Sequence, residues 1–135
     1  MARKTAPAAP PTPTPAKVEA ALRAGEFASA AEWARKLHAL TPTADNLALR
    51  KRALAAAAGH FADRDRAADF NRMMEEAGTL DAGDPAWAVE RACLLARGGK
   101  LADALALADP ASHGKVLGFA ADHALRTQSR DDLPA

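Results

Sequence analysis

The chain has 135 residues, of which 49% are hydrophobic and 26% are charged, and its formal net charge at pH 7 is +1. A net charge so close to zero creates no long-range field of the kind that draws a protein to nucleic acid or to anionic membranes. The chain has no tyrosine, four phenylalanines and two tryptophans, so alanine supplies much of its hydrophobic share, and this disfavours a sheet protein.

The N-terminal residues 1–15 contain five prolines among alanine and threonine, so we predict a disordered, extended tail. The spacing Pro10-x-x-Pro13 has two interpretations, a linker or a ligand for an aromatic-lined groove, and short proline patterns favour the linker. No apolar signal or membrane-spanning stretch is found. Because the only cysteine is Cys93, we predict a cytoplasmic protein without disulfides.

From residue 16 onward, glycines and prolines separate segments with the apolar spacing of amphipathic helices. In the second segment, for example, Ala30, Ala31, Ala34 and Leu37 form one stripe. We predict a flexible C-terminal tail over 128–135. The predicted helices are 16–24, 27–40, 44–58, 64–77, 85–97, 101–108 and 112–127.

A short pattern recurs along the chain. Gly25-Glu26-Phe27 and Gly59-His60-Phe61 have the order glycine, polar, phenylalanine, and their separation of about 34 residues is typical of a helical repeat. Gly99-Lys100-Leu101 repeats the pattern in weaker form, after a longer interval of about 40 residues. Glycine permits a tight turn after a helix, so we predict that each copy marks the elbow of an antiparallel helix hairpin.

The first copy resembles the tetratricopeptide repeat family, since Gly25, Phe27, Ala30 and Pro42 carry its marks at its spacing. This resemblance implies an α-α superhelix of stacked antiparallel hairpins over residues 16–127, with the last helix as a cap. It also implies that the protein binds other proteins and is not an enzyme.

The second copy departs furthest from the family pattern. Arg64 stands where the pattern has a small alanine, unless a short insertion brings Ala67 into that position. The additional residues before the third copy are assigned to the polar stretch 62–66 and the loop 79–84.

In such arrays the first helix of each unit lines a concave groove. The resemblance therefore implies a partner-binding groove that accepts an amphipathic helix or an extended peptide, as bacterial secretion chaperones resembling this repeat do. The alternative occupants are the chain's own proline-rich tail and a second copy in a homodimer. The predicted groove residues are Glu19, Leu22, Arg23, Asn46, Leu49, Ala53, Ala57, Val89, Cys93, Ala96 and Arg97.

The strongest charge feature is Arg50-Lys51-Arg52, followed by Arg64 and Arg66. The favoured interpretation is a solvated helix face, because the chain as a whole is almost neutral. The alternative is a basic patch for nucleic acid or an acidic partner, although few aromatic side chains are available to stack on bases.

Residues that could carry chemistry are scattered. The nearest approach to a metal-ligand pattern is His60-x-x-Asp63-x-Asp65, for which solvated, helix-capping aspartates are the favoured interpretation. Gly98-Gly99-Lys100 lacks the spacing of a phosphate-binding loop. We predict no catalytic residues, no metal and no cofactor.

Overall fold

The computed structural model describes the backbone of residues 12–131 and the side chains of residues 12–127, and within that range it contains helices and loops without strands. This confirms the predicted all-α class. In chain order the elements are α1 Pro15–Arg23, α2 Phe27–Leu40, α3 Ala44–Asp63, α4 Ala67–Gly78, α5 Pro85–Arg97, α6 Leu101–Leu107, a 3₁₀ turn at Pro110–Ser112, and α7 His113–Asp131.

Three of the helix starts follow from their capping residues. Side-chain oxygens of Thr14, Thr43 and Asp84 each accept a hydrogen bond from a backbone N–H of the following turn, at 3.1–3.2 Å. Pro15 and Pro85 come directly after two of these caps, at a position where the N–H that proline lacks is not needed. The predicted starts of α3 and α5 are therefore confirmed, and α1 begins one residue earlier than predicted.

The elbows within the hairpins α1–α2, α3–α4 and α5–α6 share one backbone geometry. Each has a residue with positive φ, at Gly25 (77°), Asp65 (56°) and Gly99 (87°). The N–H of the following residue donates to a carbonyl five residues back, which is the bond that defines a Schellman motif. The donor and acceptor residues are Glu26 and Ala21 (2.9 Å), Arg66 and Phe61 (2.9 Å), and Lys100 and Leu95 (2.8 Å).

The predicted second elbow at Gly59-His60-Phe61 is wrong, because these residues lie inside α3. The turn comes later, at Asp65, since aspartate tolerates the left-handed conformation that glycine adopts at the other elbows. The absence of a side chain at Gly59 has a reason other than a turn. A β-carbon there would stand 2.6 Å from the guanidinium of Arg97. The longer interval between elbows, about 40 residues, therefore comes first and the repeat-length interval of about 34 residues second, the reverse of the predicted order.

The odd-numbered helices form one layer of the fold. α3 packs against both α1 and α5, and α5 packs against α7, while α2, α4 and α6 each pack on the helix that precedes them and also contact the helix that follows, most extensively α2 on α3. Fully buried alanines, including Ala30, Ala53, Ala57 and Ala92, lie in the core. Their small side chains let helices approach closely. The buried core falls into three clusters, which join α1 to α3, α2 to α5, and α5 to α7.

Trp87 joins α4 to α5. Its side chain is 1% exposed and packs in the central cluster. Its indole N–H donates to the carbonyl oxygen of Ala77 at 3.1 Å, so the buried polar atom of the ring is satisfied. The Lys51 ammonium lies 5.6 Å from the ring centroid, which links α3 to the same residue.

The helical region extends further at both ends than predicted. Of the predicted tail 1–15, residues 1–11 lie outside the described part of the chain, as does Pro10 of the Pro10-x-x-Pro13 pattern. Pro13 is buried, and Pro15 is the first residue of α1. At the other end α7 continues to Asp131, into the predicted tail 128–135.

Candidate functional site

A cavity of about 750 Å³ opens on the layer formed by α3, α5 and α7. One face of α3 supplies six of its lining residues, and the α4–α5 loop supplies two. The lining consists of Ala44, Leu47, Ala48, Lys51, Arg52, Ala55, Asp81, Asp84, Glu90, Cys93, Leu94, Arg97, Lys115 and Phe119. We call this cavity the α3–α5–α7 groove.

The floor of the α3–α5–α7 groove is apolar. Leu47 and Ala55 of α3 pack against the central core cluster, and Phe119 of α7 packs against the C-terminal one. Ala48 is exposed and has no large side chain, so the groove stays open above it. Leu94 and Cys93 of α5 are buried and complete the apolar floor. A floor of this kind can exclude water from an apolar side chain placed on it.

Lys51 fixes the α4–α5 loop at one edge of the groove. Its ammonium donates to Asp81 Oδ2 at 2.8 Å and to Asp84 Oδ2 at 2.9 Å, and its side chain is 15% exposed. Burial works to lower the pKa of Lys51, but the two aspartates outweigh it and raise the pKa above its ordinary value of 10.5. Lys51 therefore stays charged while it anchors the α4–α5 loop to α3.

Asp63 ties together the C-terminal ends of α3 and α5 and the later part of α7. Its carboxylate accepts hydrogen bonds from Arg97 Nε at 2.9 Å and from Arg126 Nη1 at 2.8 Å. Arg126 also donates to the carbonyl oxygen of Arg97 at 3.0 Å. Burial works to raise the pKa of Asp63, but Arg97 and Arg126 outweigh it and hold the pKa below its ordinary value of 3.8.

The low pKa of Asp63 predicts a loss of stability in acid. Because the unfolded chain binds this proton more readily, the stabilisation is complete above the unfolded pKa and disappears as pH falls through the folded pKa. We expect Asp63→Asn to be less stable than wild type at neutral pH and to lose less stability between about pH 5 and pH 2. Urea unfolding at several pH values measures this. Parallel pH dependence in the two proteins would contradict the prediction.

Cys93 lines the groove as a buried free thiol. Burial raises its pKa above the ordinary value of 9.0, and the nearby negative charge of Glu90 acts in the same direction, against the opposing charge of Lys115. The thiol is therefore protonated near neutral pH and behaves as a small apolar side chain.

No family model, curated protein or solved structure matches this chain. Within residues 12–131 no helix combines the length and apolarity needed to cross a bilayer. Across the same residues no three histidine, cysteine, aspartate or glutamate side chains are placed to hold a metal ion together. Asp63 of the pattern His60-x-x-Asp63-x-Asp65 is instead bound by two arginines.

Of the predicted groove residues, Cys93 and Arg97 line the α3–α5–α7 groove. On α5 the other two pack in the C-terminal cluster, Ala96 fully buried and Val89 partly buried. On α1, Glu19 pairs with Arg52, Leu22 packs in the N-terminal cluster, and Arg23 is exposed outside the groove lining. The predicted α3 residues Asn46, Leu49, Ala53 and Ala57 face other parts of the molecule.

The α3 residues were misplaced because of the wrong elbow. A shift of six residues rotates a helix face by about 240°, so the prediction selected a side of α3 that is largely buried. Ala53 and Ala57 are fully buried, and Leu49 packs in the N-terminal cluster. Asn46 is buried and donates from Nδ2 to the carbonyl oxygen of Thr41 at 2.8 Å. With the elbow at Asp65, the same repeat alignment selects Arg52 and Ala55, which line the groove, in place of Asn46 and Leu49.

The basic residues do not form a single patch. Successive residues on a helix point in different directions, and Arg50, Lys51 and Arg52 accordingly contact three different elements. Arg50 binds Glu76 of α4 at 3.2 Å, Lys51 binds the α4–α5 loop, and Arg52 pairs with Glu19 of α1. The two remaining members also have partners, since Arg66 pairs with Asp69 and Arg64 Nε lies 3.4 Å from His60 Nδ1. Four of these cations are therefore paired with carboxylates within the fold, and Arg64 contacts a histidine.

Proposed function

We propose that this protein is an interaction module, an adaptor or chaperone resembling a tetratricopeptide repeat array, and that it binds a polypeptide segment in the α3–α5–α7 groove. One observation carries the proposal. An open cavity of about 750 Å³ has an apolar floor built from three helices. A cavity of this volume, with an apolar floor and polar groups around it, is typical of a ligand-binding cleft, whose volume is about 300–1,000 Å³.

The volume of the groove is sufficient for a short helical segment as its occupant. With a helix diameter of about 10 Å and a pitch of about 5.4 Å, the cavity holds roughly two helical turns. Leu47, Leu94 and Phe119 supply contacts for the occupant's apolar side chains. Helix-in-groove recognition uses such apolar contacts along one face of the bound segment.

The charged rim is suited to orienting the bound segment. Arg52 on α3 and Arg97 on α5 are basic members of the groove lining, and Asp81 and Asp84 lie at the loop. Each already has a partner in the fold, so their positions are fixed before a ligand arrives. Fixed charges around an apolar floor discriminate between the two directions of a bound segment more than they add affinity.

Peptide selection tests this proposal and does not require the natural partner. Peptides enriched from a randomised display library on the purified protein are expected to bind the groove. Ala48→Asp places a charge on the open floor at an exposed position, so folding is preserved. We expect it to weaken binding of an enriched peptide by at least about tenfold, or 1.4 kcal/mol.

Ala68→Asp is the matched control, because Ala68 is also an exposed helical alanine but lies on α4, outside the groove lining. Its affinity for the same peptide, measured by fluorescence anisotropy, is expected to equal that of wild type. Equal affinities of wild type and Ala48→Asp would contradict the proposal. Failure to enrich any peptide would also count against it.

A further inference from the structure

The charged residues that line the α3–α5–α7 groove fall into two groups. Members of the first group are held in ion pairs within the fold, and they are Lys51, Arg52, Asp81, Asp84 and Arg97. The second group consists of Glu90 on α5 and Lys115 on α7, both of them exposed. Among the side chains that the structure describes, neither has an ion-pair or hydrogen-bond partner. A bound segment can therefore pair with these two charges without breaking a contact of the fold.

Glu90 and Lys115 each stand next to a residue of the apolar floor on the same helix. Cys93 comes three residues after Glu90, and Phe119 comes four residues after Lys115. Residues at these spacings share one helix face, with their β-carbons about 5–6 Å apart. Cys93 is buried, and Phe119 packs against the C-terminal cluster. A segment that covers these two floor residues therefore comes against both charges.

The two charges lie near the same part of the floor. Burial raises the pKa of the Cys93 thiol, while of the two nearby charges Lys115 lowers it and Glu90 raises it. Because the interaction of a charge with a thiol weakens with distance, one segment placed over Cys93 is within reach of both. The two charges have opposite signs, so a segment with charges of one sign only would be attracted by one and repelled by the other.

From this arrangement, and resting on the proposed function, we infer that the bound segment carries a basic side chain opposite Glu90 and an acidic side chain opposite Lys115, beside its apolar contacts. Covering a charge without pairing it carries a desolvation cost, and a like charge placed against it adds repulsion. Glu90 and Lys115 therefore select among apolar segments more than they add affinity. The partner class is an amphipathic segment with charges of both signs.

Reversal of both charges tests this inference. Glu90→Lys combined with Lys115→Glu keeps the net charge of the protein. Peptides enriched on the wild type by display selection are expected to contain both acidic and basic residues and to bind the reversed protein about fivefold more weakly, since two exposed attractions become repulsions. The same peptides with acidic and basic residues exchanged are expected to prefer the reversed protein, a result that damage to the fold would not produce.

Glu75→Lys combined with Arg23→Glu is the matched control. Both residues are exposed and lie outside the groove lining, so this variant is expected to bind the enriched peptides as the wild type does. The preference between wild-type and reversed proteins is also expected to shrink at about 1 M salt, where charges are screened beyond about 3 Å.

Equal binding of the enriched peptides to the wild-type and reversed proteins would overturn the inference. If Ala48→Asp still weakened binding of those peptides, the proposed function would stand, so the two failures are distinguishable. Enriched sequences that resemble residues 1–11, which contain Arg3 and Lys4 and no acidic residue, would assign the groove to the chain's own N-terminal residues and overturn the inference. Peptide affinity that falls as protein concentration rises would assign the groove to a second copy, with the same consequence.

Discussion

Replacing Trp87 by alanine is expected to cost about 3–5 kcal/mol of the free energy of unfolding, the range found when a large buried aromatic side chain is removed. The ring is 1% exposed within the cluster that joins α2 to α5, and its N–H is bonded to Ala77. Its loss leaves a cavity between α4 and α5 and removes the surface on which Lys51 lies. Chemical denaturation monitored by circular dichroism measures the change.

Trp87→Phe is the matched control for this prediction. Phenylalanine keeps much of the buried apolar area and loses the hydrogen bond to Ala77, so its cost is expected to be smaller, about 1 kcal/mol. If the alanine variant were as stable as the phenylalanine variant, burial of the ring would not hold α4 and α5 together. The described packing of the central cluster would then be incorrect.

Gly99→Ala is expected to destabilise the protein by roughly 2–4 kcal/mol, through backbone strain and overpacking combined. Gly99 has φ of 87°, which is unfavourable for alanine. An added β-carbon would also stand 2.6 Å from His123 Nε2 of α7. The substitution therefore strains the third elbow and pushes α7 away from it.

Gly25→Ala separates these two contributions. Gly25 has a similar φ of 77°, but a β-carbon there would meet nothing within 4 Å. We expect this variant to lose only the strain contribution, about 1–2 kcal/mol. Equal losses in the two variants, compared by urea unfolding, would show that α7 does not pack on the third elbow as described.

The parts of the fold that sequence predicted well are those set by local chemistry. Thr43 and Asp84 begin α3 and α5 because their side chains satisfy N–H groups of the first turn. The apolar stripe of α2 is buried as its spacing predicts. The resemblance to tetratricopeptide repeats stays a prediction, since an alternating arrangement of helices is compatible with it but is not specific to it.

The second elbow could not be located from the position of a glycine, because glycine occurs both in turns and where another group packs closely against a helix. Gly59 makes room for Arg97, whereas the turn itself is made by Asp65. The interval from Asp65 to Gly99 equals the length of one tetratricopeptide repeat, but so does the interval from Gly25 to Gly59, so repeat length does not choose between the two positions. Since helix faces change direction with every residue, this one misplacement moved the predicted α3 groove residues away from Arg52 and Ala55, which line the groove, and into the core.

The ion pairs at the edges of the groove were also beyond prediction from sequence. Asp63 and Arg97 are far apart in the chain and meet only after α3 and α5 pack side by side. The same holds for Lys51 and Asp84. Ion pairs of this kind depend on the relative placement of helices, which hydrophobic periodicity does not specify.

Backbone amide chemical-shift mapping of a bound, display-selected peptide tests the central claim most directly. If the odd-numbered helices form a peptide-binding surface, the largest shifts will fall on residues 44–55, 90–97 and 115–119, which line the groove. Shifts concentrated on the exposed faces of α2, α4 and α6, with the groove residues unchanged, would contradict it.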